Sequence, residues 1–356
     1  TVVGNISSTG SVYSDNIDTL TNNVSALYSY LIENFDHNQI SVATDLNDFV
    51  TNYPKTGLQT GDVITLSAIN TAYILGDKDG SPVLASETCA LDMIGAKYIR
   101  DVENGEIVII TEKGIESIKP FKSIPERPCI FERIYFASPD SIVGNKTVYT
   151  YRKSLGFELA KENNISADVV VPIPDSGVSA ALGFSQKSSI PFELGIIRSH
   201  YVGRTFIEPS QTIRQFGVKL KHSVNRSCIE DKRVILIDDS IVRGTTASKI
   251  VKMVYEAGAK EVHLGISCPP IKHPDFYGID TPNYNELIAS KSSIEEMTKL
   301  VGAKSLFFLS LNGTYKAMGY NERNKELPQF TDHCFTGDYP IDISEILKIN
   351  SYNASR

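Results

Sequence analysis

Two adjacent acidic residues and a short run of small residues follow one strongly apolar segment of the chain. Val234–Ile237 are apolar, Asp238–Asp239 come next, and a turn containing Gly244 leads to Thr245–Thr246. A strand that is buried on both faces has such a continuous apolar run, and ligands of open α/β sheets bind beyond the carboxyl ends of the strands. The pattern predicts a buried strand with an acidic end, followed by a helix.

The residues of this segment suit the two ends of a sugar phosphate. Backbone N–H groups of the turn and of the helix N-terminus attract an anion such as phosphate, and Gly244 allows close approach of the backbone. The hydroxyls of Thr245 and Thr246 can donate to the same phosphate. Asp238 and Asp239 can accept hydrogen bonds from ribose hydroxyls or approach a metal ion. On spacing alone, Asp238 as a helix cap with Asp239 solvated is the alternative.

The segments around this motif alternate between strand and helix patterns. The predicted elements are helix Thr150–Glu162, strand Val169–Ile173, helix Gly177–Lys187, strand Phe192–Ile197, a polar loop Arg198–Arg226, strand Arg233–Ile237, helix Thr245–Gly258 and strand Glu261–Ile266. Such alternation predicts a parallel sheet flanked by crossover helices. Nearer the start, Val24–Ile32 has helical spacing, and the strand-like segments are Asp62–Leu66, Pro82–Ala85 and Glu106–Ile110.

Composition restricts the classes of function. The 356 residues suggest two domains, and the formal charge of −7 argues against a nucleic-acid binder. No apolar run is long enough to span a membrane, and five scattered cysteines fit a reducing compartment, so we expect a cytoplasmic protein.

The motif belongs to a wider resemblance. Asp238–Thr246 resembles the motif with which type I phosphoribosyltransferases bind 5-phosphoribosyl-1-diphosphate (PRPP). Over about residues 80–340 the chain is similar to the glutamine PRPP amidotransferases, in these segments: Ala85–Asp92, Tyr201–Ser210, Asp238–Thr246, His273–Asp280 and Cys334–Pro340. The resemblance implies a glycosyltransferase in which ammonia, derived from glutamine in the family, displaces pyrophosphate from PRPP in the first step of purine biosynthesis.

The resemblance also implies an architecture and a set of ligands. A partial Ntn-hydrolase-like α+β glutaminase domain would occupy residues 1–120, a type I phosphoribosyltransferase domain 121–340, and a tail 341–356. Mg²⁺ would accompany PRPP, purine nucleotides would act as feedback ligands, and the protein would form a homo-oligomer without nucleic-acid or membrane partners.

Individual site residues follow from the same resemblance. Asp238 and Asp239 would hold the ribose hydroxyls and the Mg²⁺ shell. Pro174–Gly177 would form the pyrophosphate turn, with Ser176 near the metal. The predicted PRPP-binding residues are Asp175, Ser176, Asp238, Asp239, Ser240, Val242, Arg243, Gly244, Thr245 and Thr246. Tyr201–Ser210 would close over PRPP and exclude water. Tyr201, Arg198 and Arg204 would act in catalysis, the arginines by stabilising the departing pyrophosphate.

The first residues depart from the family pattern. The N-terminal cysteine of the glutaminase is absent, and Val3 stands where the family has the asparagine of its oxyanion hole, although valine cannot donate that hydrogen bond. Asn22 or Asn23 replaces an acidic residue. Thr1 could be a nucleophile activated by its own amine, but it aligns inside the domain, which favours a cut point or fragment end. We therefore expect an inactive glutaminase half.

Some members of the family hold an iron–sulfur cluster on four cysteines. Cys129 and Cys334 match two of these, whereas Asp275 and Thr331 stand at the other two, so no cluster is expected. Ser138 likewise stands where the family usually has arginine.

Three functions compete at this stage. The first is an amidotransferase that uses free or delivered ammonia. A non-catalytic PRPP or nucleotide sensor is the second, and a salvage phosphoribosyltransferase is the third. The acidic pair, Ser176 and the Tyr201–Ser210 segment favour the first, because a sensor does not need a lid and salvage enzymes usually have a different loop.

Overall fold

The computed structural model describes most of the chain beyond residue 73. The described residues are 74–111, 114–119, 125–198, 222–276, 281, 283–340 and 343, with the strand backbone at 2–3, 63–64 and 66–67. They belong to two compact units, one up to Pro128 that also includes Ile343, and one within Cys129–Phe276 and Asp280–Pro340. The domain limits expected from the sequence stay predictions, and the helix expected at Val24–Ile32 lies outside the described residues.

The first unit consists of short strands, most of them antiparallel. Its elements are β1 (Val2–Val3), β2 (Val63–Ile64), β3 (Leu66–Ser67), β4 (Ile74–Lys78), β5 (Ser81–Ala85), α1 (Thr88–Ile94), β6 (Lys97–Asp101), β7 (Ile107–Thr111) and β8 (Gly114–Ile118). β4 pairs with β5 and β6, β7 pairs with β2 and β8, and β1 runs parallel to β3. Asp79 and Gly80 both have positive φ, 53° and 85°, as a two-residue hairpin turn requires.

This unit contains a partly buried ion pair. Arg100 donates two hydrogen bonds, of 2.9 and 2.6 Å, to the carboxylate of Glu106, whose side chain is only 1% exposed. Burial raises the pKa of Glu106, but the hydrogen bonds from Arg100, Ser117 and the Glu103 backbone outweigh it and bring the pKa down to about 2. Glu106 is therefore a charged group held by its partners.

The second unit is built on a four-stranded parallel sheet in the order β11-β14-β15-β16. The strands are β11 (Val169–Pro172), β14 (Arg233–Asp238), β15 (Glu261–Ile266) and β16 (Ser305–Phe308), with the short strands β9 (Ile142–Val143), β10 (Lys146–Thr147), β12 (Ile196–Arg198) and β13 (His222–Val224) outside it. Val234–Ile237 are fully buried. The continuous apolar run is therefore the centre of the sheet.

Helices cover the sheet and connect its strands. They are a π-helix at Glu132–Phe136, α2 (Val148–Glu162), α3 (Val178–Ser188), α4 (Arg226–Ile229), α5 (Thr245–Glu256), a 3₁₀ turn at Tyr284–Glu286, α6 (Ile288–Lys291), α7 (Ile294–Val301), α8 (Leu311–Ala317) and α9 (His333–Thr336). α7 begins with a capping box between Ser293 and Glu296. In the part of the chain that the structure describes, no helix has the length and apolar character needed to cross a bilayer.

The parallel sheet flanked by helices confirms the predicted class of this unit, with one local correction. The strand expected at Phe192–Ile197 is shorter: Phe192 makes only an isolated bridge to Val170, and the strand proper is β12, paired with β13. Pro191 has no N–H to donate, and Gly195 lies so close to Val171 that a Cβ there would be 2.9 Å from its side chain. Pairing between β11 and the segment after Pro191 is therefore limited to the bridge at Phe192.

Candidate functional site

The acidic pair lies at the carboxyl end of β14. The Asp239 N–H donates to Asp238 Oδ1 at 2.9 Å, and Ser240 Oγ donates to Asp239 Oδ2 at 2.5 Å. Asp239 is 5% exposed. The Asp238 carbonyl accepts from Ser267 N–H at 2.9 Å, which fixes the strand end to the neighbouring β15. Both carboxyl groups are therefore held by local bonds at the edge of the sheet.

The electrostatics of this pair favour a cation. Burial of the Asp238 carboxyl, followed by the negative charge of Asp239, raises the pKa of Asp238 well above its ordinary value. A side-chain hydrogen bond with Ser176 opposes this rise. The oxygens of Asp238, Asp239 and Ser176 are hard donors of the kind that Mg²⁺ takes. Among the described residues there is no group of three or more His, Cys, Asp or Glu that could hold a metal ion.

A second turn approaches the acidic pair from β11. Ile173 N–H donates to the Ile237 carbonyl at 2.9 Å, and Gly177 N–H donates back to the Ile173 carbonyl at 2.9 Å. The peptide between Pro174 and Asp175 is cis. A Cβ on Gly177 would lie 2.2 Å from the Ile237 carbonyl oxygen, so only glycine lets this turn pack against the end of β14. The turn places Ser176 against Asp238.

The loop after the acidic pair ends at the N-terminus of α5. Gly244 occupies the position before the helix with φ of 76°, a left-handed conformation that glycine adopts without strain. Thr245 and Thr246 are exposed in the first turn. The first N–H groups of a helix have no partner within the helix, and they carry its positive partial charge. Such an arrangement at a helix N-terminus can bind an anion.

A later segment of the chain supports this loop from outside. Arg243 forms an ion pair with Glu286 of the 3₁₀ turn, and Ile288 N–H donates to the Val242 carbonyl at 2.9 Å. A Cβ on Gly244 would meet the Ile288 side chain at 3.2 Å. Glu286 and Ile288 were not among the predicted site residues. Their sequence carries no signal for the role, because they lie more than 40 residues from the loop.

Arg198 lies at the end of β12 and pairs with Asp175 of the second turn. Both side chains are largely exposed, 54% for Arg198 and 61% for Asp175. The structure therefore brings Arg198, Asp175, Ser176 and the acidic pair to one edge of the sheet.

Other predicted residues lie outside the described residues. They include Tyr201, Arg204 and the whole Tyr201–Ser210 segment. Asn22 and Asn23 also lie outside, and only the strand backbone is described for Val3. Their assigned roles stay predictions.

The four positions of the family's cluster cysteines lie inside the second unit. Cys129 and Cys334 are buried, and burial raises the pKa of the Cys129 thiol to about 12. Cys129 forms a backbone bridge with Thr331, and Asp275 contacts His333 Nε2 through a carboxylate oxygen at 2.7 Å. These side chains are packed in the interior as neutral thiols and a buried polar pair.

The sequence of the chain matches a known domain and several known enzymes. The model of the phosphoribosyl transferase domain matches residues 152–277. The amidophosphoribosyltransferase of Rhizobium etli is 62% identical over 273 residues, covering 75% of this chain and 55% of the relative. That of Bacillus subtilis is 50% identical over 261 residues, covering 73% and 55%. The chain spans about half the length of the curated relatives that it matches.

Two solved structures are similar in three dimensions. The glutamine PRPP amidotransferase from B. subtilis, complexed with ADP and GMP, is 48% identical with a TM-score of 0.71, over 77% of this chain and 60% of that one. A structure described as the allosteric regulatory enzyme of purine biosynthesis is 46% identical with a TM-score of 0.73, over 80% and 61%. With the domain match, these findings confirm the predicted type I phosphoribosyltransferase fold.

Proposed function

We propose that this chain, which carries a phosphoribosyl transferase domain and is related over about three quarters of its length to the amidophosphoribosyltransferases, forms 5-phosphoribosylamine from PRPP and ammonia in purine biosynthesis. One observation carries the proposal. The Pro174–Gly177 turn and the Asp238–Thr246 loop converge at the carboxyl edge of one parallel sheet, joined by the contact of Ser176 with Asp238. Their chemistry suits the two charged ends of PRPP and the ribose between them.

Each part of the substrate has a matching part of the protein. The 5′-phosphate binds at the N-terminus of α5, where backbone N–H groups and the hydroxyls of Thr245 and Thr246 converge. Asp239, and Asp238 beside it, accept hydrogen bonds from the ribose hydroxyls. The diphosphate lies along the Pro174–Gly177 turn.

The reaction exchanges one bond at the anomeric carbon for another. The lone pair of ammonia forms the new bond to this carbon as the bond to the diphosphate oxygen breaks, and the oxygen departs with that bond's electron pair. The new ammonium group then loses a proton to solvent. Arg198 stabilises the charge that builds up on the departing pyrophosphate, and Tyr201 and Arg204 act from the closing segment.

Mg²⁺ is the cofactor that these residues fit. Asp238, Asp239 and Ser176 would hold it, and the ion would supply further neutralisation of the diphosphate charge. The adjacent carboxyl groups of Asp238 and Asp239, the second of which is buried, are the observation that supports a cation here.

Our proposals for regulation and assembly are based on the relatives. We propose that purine nucleotides act as feedback ligands, since the B. subtilis structure contains ADP and GMP. A homo-oligomer in a reducing, cytoplasmic compartment stays our expectation. Glutamine is the family's nitrogen source, and free or delivered ammonia is the donor proposed for this chain.

A pyrophosphate-release assay tests the function. The purified chain is given PRPP and Mg²⁺ with either ammonium or glutamine, and we expect release that depends on ammonium. Asp238→Asn should abolish most of it, whereas Asp168→Asn, at the opposite edge of the sheet beside Arg233, should retain it. PRPP binding without turnover would contradict the enzyme and favour a sensor. Turnover with glutamine alone would contradict ammonia as the donor.

A further inference from the structure

We infer that Asp175 is an internal competitor for Arg198: its carboxylate holds the guanidinium in the ligand-free protein and gives it up when a diphosphate group binds. The inference rests on the proposed function and assigns Asp175 a role in addition to its place in the turn. Its basis is the ion pair between the two residues proposed for the pyrophosphate end of the substrate.

The contact has the character of an exchangeable pair. One guanidinium nitrogen of Arg198 meets one carboxylate oxygen of Asp175, and more than half of each side chain is exposed. By contrast, Arg233 at the opposite edge of the sheet bonds both oxygens of Asp168 and also donates its backbone N–H to it. A single exposed contact is worth little, so a better anion can replace it.

A diphosphate group is a better anion at this position. It carries more charge than a carboxylate, and its oxygens match the planar fork of a guanidinium. Displacement of Asp175 from Arg198 therefore frees the arginine for the incoming diphosphate.

The backbone of the turn does not depend on this side chain. The Asp175 carbonyl accepts from Val178 N–H at 3.3 Å, and Gly177 N–H bonds the Ile173 carbonyl at 2.9 Å. Asp175→Asn keeps these bonds and the side-chain size while removing the charge. We therefore expect the variant to fold and to bind the diphosphate more tightly.

Titration calorimetry with pyrophosphate in excess Mg²⁺ tests the competition. Asp175→Asn should lower the Kd for pyrophosphate by about 2- to 5-fold, the range that exposed ion pairs reach. Arg198→Gln should raise the Kd. The decisive comparison is the double variant: with Arg198 absent there is nothing to release, so adding Asp175→Asn to Arg198→Gln should leave the Kd unchanged.

Controls separate this competition from a general effect of charge. Glu256→Gln removes an exposed acidic group paired with Lys252 at the far end of α5, and it should leave the Kd unchanged. Asp175→Ala should reproduce the gain of Asp175→Asn. A gain that persists in the Arg198→Gln background, or no gain from either Asp175 variant, would overturn the competition alone. Failure of the unmodified chain to bind pyrophosphate would overturn the proposed function as well.

Discussion

Replacing Asp239 with asparagine is the substitution that probes the acidic pair most sharply. Asp239 is 5% exposed and accepts a 2.5 Å hydrogen bond from Ser240 on Oδ2, and we expect its charge to strengthen a further bond from a ribose hydroxyl. Asparagine keeps the size but loses the charge. Hydrogen bonds to a charged group contribute about 1.5–3 kcal/mol, which corresponds to about a 10- to 140-fold increase in the Kd for PRPP. Relief of the repulsion that raises the pKa of Asp238 opposes part of this loss.

Calorimetry with PRPP and Mg²⁺ measures this change directly. Asp168→Asn is the matched control, because it neutralises an acidic group at the other edge of the same sheet, and its Kd should stay at the value of the unmodified chain. Thermal unfolding of both variants checks that each is folded. An unchanged Kd for Asp239→Asn would remove this carboxylate from the binding site and refute the assignment of the strand end.

Further predictions concern the loop and the first unit. Gly244→Ala places a side chain at φ of 76° and should lower the free energy of unfolding by about 1–2 kcal/mol in urea and weaken binding of ribose 5-phosphate. Glu286→Gln frees Arg243 from a competing carboxylate and should lower the Kd for ribose 5-phosphate by up to about 5-fold in calorimetry. Glu106 has a folded pKa of about 2 against an ordinary 4.5, so its stabilisation is complete above pH 4.5 and declines toward pH 2. The stability difference between Glu106→Gln and the unmodified chain should shrink over that range when urea midpoints are measured, and a constant difference would contradict the role of Arg100.

The central strands could be predicted because their burial is complete. Val169–Pro172 and Val234–Ile237 are continuous apolar runs, and a strand covered on both faces requires that pattern. The edge strand Ser305–Phe308 was not predicted. It has four residues and joins the sheet only by pairing with β15, a long-range contact that leaves no local pattern.

The part of the site that lies in one continuous segment of the sequence could be predicted. Asp238–Thr246 lie in a single stretch, so strand, acidic end, turn and helix could be read together. Contacts between segments that are far apart in the sequence could not be predicted from a local pattern. Arg198 and Asp175 were expected at the pyrophosphate end separately, but their pairing across 23 positions depends on how two turns meet in the fold. The partnership of Glu286 with Arg243 has the same origin.

A crystal structure of the chain soaked with PRPP and Mg²⁺ tests the central claim most directly. The account predicts electron density for the 5′-phosphate at the N-terminus of α5, for the ribose beside Asp238 and Asp239, and for the diphosphate along Pro174–Gly177. Ordered PRPP at any other place, with this edge of the sheet empty, would contradict it.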